Sequence, residues 1–120
     1  MLKYSDTLDR AFQALADPTR RAMVERLARG PASVSELAAP LAMTMAAVLQ
    51  HLRVLEASGL VTTAKSGRVR SCAVDPEAFG AVQSWIDARR REWESRLDRL
   101  TQHLIDHPEM PTGRSRKDEK

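Results

Sequence analysis

Apolar residues recur along this chain in blocks whose spacing switches from helical to strand-like and back. Leu8, Ala11, Phe12 and Leu15 follow i, i+3, i+4, i+7 spacing and predict a first amphipathic helix. It stops ahead of Asp17-Pro18, where Asp17 suits an N-cap and Pro18 the first helical position, which needs no backbone donor. A second helix runs to about Ala28 with Ala22, Met23 and Leu27 as its apolar side, and Gly30-Pro31 ends it. Ser33-Val34-Ser35-Glu36 forms a capping box, in which Ser33 accepts from the backbone of Glu36 and Glu36 reaches back to Ser33. It starts a short helix through Leu37 and Ala38 that Pro40 ends or distorts. After the tight connection Leu41-Ala42-Met43, Thr44 is placed to cap a fourth helix. That helix buries Val48, Leu52 and Leu55 and ends at Ser58-Gly59, with Gly59 in the left-handed cap position.

Two strand-like runs come next, Leu60 to Ala64 and Val69 to Val74, with Ser66-Gly67 between them as hairpin turn chemistry. Asp75-Pro76 repeats the cap-plus-proline start and opens a long helix carrying Phe79, Val82, Ile86, Trp93, Leu97, Leu100 and Leu104. Spacings of three, four and seven give a coiled-coil-like stripe, interrupted near Arg89-Arg90. A helix of about thirty residues is roughly 45 Å long, more than the rest of a small domain can cover, so the stripe calls for a partner. Leu8, Phe12, Val82, Ile86, Trp93, Leu97 and Leu100 are therefore the expected dimer interface, with Trp85 and Trp93 as interface or core residues. The segment Arg89-Arg90-Arg91-Glu92-Trp93-Glu94 reads as a solvated face with ion pairs such as Arg90 with Glu94. Pro108 to Lys120 lacks apolar periodicity and reads as a disordered charged tail, leaving residues 1–107 as one domain.

Length and charge narrow the picture only a little. The 120 residues amount to one domain, and a domain of this size gains stability from a partner subunit. A net charge of +3 is consistent with a polyanionic partner, while 4% aromatic residues disfavour a base-stacking surface for single strands. Cys72 is the one cysteine, so no internal disulfide forms, and the N-terminal residues show no apolar signal region. No stretch is long and apolar enough to span a bilayer. The expectation is a soluble cytoplasmic protein that makes no membrane contact.

Two short helices joined by a tight turn, followed by a hairpin, is the winged helix-turn-helix order. The expected fold is thus mainly α with a two-stranded β-hairpin wing and a long C-terminal dimerisation helix. The major groove of DNA admits one α-helix, and the hairpin adds phosphate or minor-groove contacts. With Val48, Leu52 and Leu55 turned inward, the outward arc of the fourth helix holds Ala46, Leu49, Gln50 and Arg53, and Thr44 and Met45 sit at its N-terminal end. From Leu37 to Val74 the only acidic residue is Glu56, while Arg53, Lys65, Arg68 and Arg70 lie in the same stretch. Phosphate repels carboxylates, so an acid-poor, base-dotted face suits double-stranded DNA. Thr44, Met45, Ala46, Leu49, Gln50, His51 and Arg53 are the candidate recognition-helix contacts, and Lys65, Arg68 and Arg70 those of the wing. For His51 the two readings are phosphate contact and packing.

Three segments carry a family resemblance: Leu15-Ala-Asp-Pro-Thr-Arg-Arg21, Ser33-Val-Ser-Glu-Leu-Ala38 and Val48-Leu-Gln-His-Leu-Arg-Val-Leu-Glu-Ala-Ser-Gly-Leu-Val61. Together they resemble the ArsR (ArsR/SmtB) family of bacterial repressors over roughly Thr7 to Leu104. The resemblance implies a homodimer that occupies an inverted-repeat operator and releases it when an effector binds or a site is modified, with the first and last helices forming the interface. Two departures matter. Many members begin the recognition helix with serine and glutamine and place another serine a turn later, where this chain has Thr44, Met45 and Leu49. Met45 and Leu49 either pack on thymine methyls or pack within the fold, and Thr44, Gln50 and Arg53 are the polar readers. Metal-sensing members use a cysteine pair in the helix before the recognition helix, or Asp and His from the final helix with a His-x-x-Glu. Here Val34 to Ala38 has no cysteine, and His107-Pro108-Glu109 replaces the second motif beside Asp98 and His103. The expectation is no metal site, no cofactor, and a non-metal signal: an organic ligand, a redox event or nothing small.

Cys72 reads as a small buried hydrophobe, and Arg70 nearby leaves a reactive thiol as the alternative reading. No paired carboxylates, phosphate loop or nucleophile–base set is spaced for catalysis, so an enzyme is not expected. The rival from another class is a winged-helix module that binds protein rather than DNA, supported by Met45 and Leu49 alone.

Overall fold

A computed structural model describes residues 2–108 of the chain. Helices α1 (Leu2–Ala14), α2 (Pro18–Ala28), α3 (Val34–Ala38), α4 (Met45–Ala57) and α5 (Pro76–Asp106) alternate with strands β1 (Ala32–Ser33), β2 (Val61–Ser66) and β3 (Val69–Val74). The architecture is the expected winged helix-turn-helix. The chain divides into two compact units after Gln83. The tail beyond Pro108, including Glu109, lies outside the described residues.

Local capping sets the helix starts. The Asp17 carboxylate accepts from the Arg20 amide at 3.0 Å with Pro18 at the first turn of α2. At α3 both halves of the capping box form, Glu36 N to Ser33 Oγ at 3.1 Å and Ser33 N to Glu36 Oε1 at 2.8 Å. Thr44 Oγ1 accepts from Ala47 N at 3.1 Å to open α4. The Asp75 carboxylate accepts from Glu77 N at 3.0 Å at the head of α5. Each bond satisfies a helix-terminal donor that would otherwise have no partner. The far end of α4 turns sharply: Gly59 takes φ +84°, and Ser58 Oγ donates to Leu55 O at 2.6 Å while accepting from Leu60 N. That turn delivers Leu60 and Val61 into the core.

The core of the first unit is built from Leu8, Ala11 and Ala14 of α1, Met23 and Leu27 of α2, Leu37 of α3, and Val48, Leu52 and Leu55 of α4, closed by Leu60, Val61, Cys72 and Val82. Removing a leucine such as Leu52 from water is worth about 2–3 kcal/mol. Helix α4 packs on α1, α2 and α3, so its inward stripe is held from three sides and its opposite face is fixed in direction. Ala22, assigned to the apolar side of α2, is exposed instead; Phe12 on α1, expected at the dimer interface, is 39% exposed.

The expected two-stranded hairpin wing forms from β2 and β3, and a short strand extends its sheet. The sheet has three strands among the described residues in the order β1-β3-β2, all antiparallel, because Ala32 and Ser33 pair with Cys72 and Ser71. The short β1 stitches the end of the α2–α3 connection to the wing and buries Ala32 against the core. The hairpin turn is also one residue later than the sequence suggests. Ser66 pairs with Val69, so Gly67 and Arg68 form the two-residue loop. Gly67 has φ +63° and Arg68 does not have positive φ, the pattern of a type II′ turn with glycine first.

In the second unit α5 presents Ile86, Trp93, Leu97, Leu100, Leu104 and Ile105 to solvent, Trp93 at 62% and Leu97 at 53% exposure. Arg89 lies over the Trp85 ring at 5.0 Å and pairs with Glu92 at 3.0 Å. Arg90 pairs with Asp87 at 3.0 Å rather than with Glu94 as the sequence suggested, since residues three apart on a helix are also neighbours. No helix among the described residues is long and apolar enough to cross a membrane.

Candidate nucleic-acid interface

The inward stripe of α4 leaves its other face to solvent from its first residue. Thr44, Met45, Ala46, Gln50 and Arg53 are exposed and Leu49 is half-buried. Met43, in the turn just before, is exposed as well. Ala46, Gln50 and Arg53 fall at i, i+4, i+7, and Met45 and Leu49 form the row beside them, as i, i+4 neighbours do. The Thr44 hydroxyl accepts from Ala47 N in its cap, which leaves its O–H and one further lone pair for an outward partner.

The wing supplies cations at its tip and along its outer half. Lys65, Arg68 and Arg70 are all exposed, with Arg68 in the turn itself. Arg70 Nη2 lies 3.6 Å from the Glu56 carboxylate, which also accepts from Thr63 Oγ1. Glu56, the only carboxylate between Leu37 and Val74, is therefore tied back by the wing rather than turned toward an incoming anion. The pair is half-exposed, so its Coulomb energy is small, at most about 1 kcal/mol. Arg53, Lys65 and Arg68 are likewise exposed.

His51 sits differently from its neighbours on α4. Its Nδ1 lies 3.3 Å from Arg20 Nη1 and 3.9 Å from the Asp17 carboxylate, so the ring is packed against the start of α2. Arginine has only donors, so the Arg20 contact is a hydrogen bond in the tautomer that leaves Nδ1 as acceptor. The same guanidinium donates from Nε to Ala14 O at 2.7 Å and from Nη2 to Gln13 O at 3.1 Å. Arg21 adds a bond to Leu15 O at 2.8 Å. Arg20 thus caps the end of α1, sits within the first turn of α2 and holds α4. Its importance escaped the sequence reading, where it was one letter of a family segment. The signal lay in two adjacent arginines just after a helix stop, placed to meet the free carbonyls there.

Two helix-capping carboxyls are held below their ordinary values. The Asp17 carboxyl is held below its ordinary value by the Arg20 backbone hydrogen bond, with His51 and Thr19 assisting. The Glu36 carboxyl is lowered by the backbone and side-chain hydrogen bonds of Ser33. Cys72 is fully buried, and burial pushes its thiol up further than Arg70 pulls it down. It is a core residue of β3, which removes the lowered-pKa reading. No cluster of three or more His, Cys, Asp or Glu side chains capable of holding a metal is found among the described residues. His103 and His107 stack face to face at 4.4 Å, and His107 Nδ1 lies 3.1 Å from His103 O.

Of the expected interface residues on α1 and α5, Leu8 and Val82 are already buried within the first unit, whereas Phe12, Ile86, Trp93, Leu97 and Leu100 are exposed. Ile105, at 64% exposure, is an apolar surface residue the sequence reading did not single out.

A helix held from three sides, exposed on its outer face and flanked by a cation-tipped hairpin defines a winged helix-turn-helix DNA-binding protein. The Helix-turn-helix domain family matches residues 15–64. The chain is 47% identical over 98 residues to the HTH-type transcriptional regulator Rv2034 of Mycobacterium tuberculosis, covering 82% of this chain and 88% of that one. A solved ArsR family transcriptional regulator superposes with a TM-score of 0.71 at 50% identity, covering 76% of this chain and 94% of that one. An ArsR-like transcriptional regulator from Rhodococcus sp. RHA1 gives 0.70 at 31% identity, covering 82% and 92%. This chain belongs to the ArsR/SmtB family of winged helix-turn-helix transcriptional regulators.

Proposed function

We propose that the protein is an operator-binding repressor that acts as a homodimer and answers to a signal other than a metal ion. The observation that carries the DNA-contact part is the outer face of α4. Its one carboxylate, Glu56 in the last turn, is held by Arg70, and Arg53, Lys65 and Arg68 are exposed cations. In this reading Thr44, Met45, Ala46, Leu49 and Gln50 enter the major groove, and Arg53, Lys65, Arg68 and Arg70 hold phosphate or the minor groove. His51 acts by packing, as its contacts with Arg20 and Asp17 support.

Dimerisation rests on the stripe of Ile86, Trp93, Leu97, Leu100 and Leu104, a run of exposed apolar side chains at helical spacing that only a partner would cover. A two-fold dimer calls for an inverted repeat with half-site centres roughly 34–36 Å apart, or a multiple of it. The non-metal signal rests on the donor chemistry: α3 carries no cysteine, and His103 of α5 stacks on His107, just past the end of that helix.

The test is binding of the full chain to DNA from its own promoter across a salt series. Affinity that falls steeply and linearly in log–log form supports the reading. Binding that ignores salt would instead favour the protein-interaction alternative, to which the exposed Met43 and Met45 give some physical support.

A further inference from the structure

The reading face of α4 is unusual in what it offers to base edges. Its first turn presents Met45 at 47% exposure and Ala46, preceded by Met43 at 36%, and Leu49 follows one turn on. None of these can hydrogen-bond to a base. The Thr44 hydroxyl is committed as acceptor to Ala47 N, so Gln50 is the one full amide on the face. An exposed methionine and a half-buried leucine at the mouth of a DNA-reading helix have one apolar target in the major groove, the C5 methyl of thymine. Gln50 points to the same base pair, since a glutamine amide bonds bidentately to adenine N6 and N7. Methionine suits this task because its unbranched thioether adapts to an irregular surface.

We infer that each half-site is read at A·T pairs through thymine C5 methyls packed against Met45 and Leu49, with Met43 at the edge and Gln50 on adenine. This deepens the proposed DNA reading of α4 and rests on it. The wing cations and Arg53 supply affinity without sequence, and the apolar row supplies the sequence preference.

The experiment uses the full chain and a randomised duplex library from which bound molecules are enriched. The enriched duplex is then resynthesised with deoxyuridine replacing one thymidine at a time. Uracil keeps the pairing edge and O4 and lacks only the methyl. The expected result is a threefold to fivefold loss of affinity, roughly, for each contacted methyl removed. At one thymine position per half-site, the one Met45 contacts, Met45→Ala should bind the thymine and uracil duplexes equally, and Gln50→Ala should keep the difference there. Met45 is half exposed, so Met45→Ala is not expected to disturb folding, and the wild-type comparison needs no variant at all. If a duplex is enriched and uracil is tolerated at every position, the methyl reading falls while the DNA reading stands. It also falls if Met45→Ala retains the full thymine preference. If no sequence is enriched, the sequence-reading role of α4 falls and the methyl reading with it.

Discussion

Replacing Arg20 by alanine removes three side-chain hydrogen bonds at once. The bond from Nε to Ala14 O, at 2.7 Å and partly buried, is the strongest; the Nη1 contact with His51 at 3.3 Å and the exposed Nη2 bond to Gln13 O at 3.1 Å are weaker. A hydrogen bond from a charged donor contributes ~1.5–3 kcal/mol when shielded and much less when water replaces it. Counting the first near the lower figure and the other two as fractions gives a loss of about 2–3 kcal/mol. Arg20→Lys should lose most of this too, because one ammonium cannot serve three acceptors in different directions. The assay is urea unfolding followed by circular dichroism at fixed protomer concentration, since dimerisation would couple stability to concentration. Pairing Arg20→Ala with His51→Ala in a double-mutant cycle isolates the link to α4, expected at roughly 0.5–1 kcal/mol. An Arg20→Ala protein within about 0.5 kcal/mol of wild type, the range of an ordinary surface change, would refute the claim that this guanidinium holds α1, α2 and α4 together.

Acid should destabilise the fold through its helix caps. The folded-state values of Asp17 and Glu36 are depressed, so their contribution is complete above the ordinary carboxylate range and is lost as pH falls through the folded values. Urea midpoints should therefore drop below about pH 5, and Glu36→Gln should flatten that dependence. Leu97→Glu places a carboxylate in the exposed stripe of α5 and should shift light scattering at micromolar concentration from twice the chain mass toward the monomer, burial of an unpaired charge being costly. A wild-type chain that is monomeric under the same conditions would refute the dimer. Stoichiometric zinc, arsenite or cadmium should leave DNA affinity unchanged, and a tight zinc site abolished by His103→Ala would contradict the non-metal proposal.

What could be read from the chain was mostly short-range. Asp17, the Ser33–Glu36 box and Thr44 cap their helices as expected because each bond spans three residues and needs only local geometry. The inward stripe of Val48, Leu52 and Leu55 was equally legible, since periodicity alone fixes which side turns inward. The misses were contacts between distant segments. Strand β1 is two residues long and exists through pairing with Ser71 and Cys72, almost forty positions away, so nothing local announces it. The hairpin turn moved by one residue because register follows the pairing of Ser66 with Val69, and Ser66-Gly67 and Gly67-Arg68 are both acceptable turn dipeptides. For His51 the place on α4 left phosphate contact and packing both open, and its approach to Arg20 and Asp17, thirty-odd positions earlier, supports packing.

The division of labour between α4 and the wing is tested most directly by comparing Arg68→Ala and Gln50→Ala on one enriched duplex and one scrambled duplex across a salt series. Arg68 sits in the exposed turn of the wing and Gln50 on the exposed face of α4. Arg68→Ala should weaken both duplexes alike and make the salt slope shallower by ~1, as the loss of one phosphate contact requires. Gln50→Ala should leave the salt slope alone and relax preference at one base position per half-site by about 1–3 kcal/mol. If Gln50→Ala changes nothing while Arg68→Ala alters sequence preference, the wing reads the operator and α4 does not.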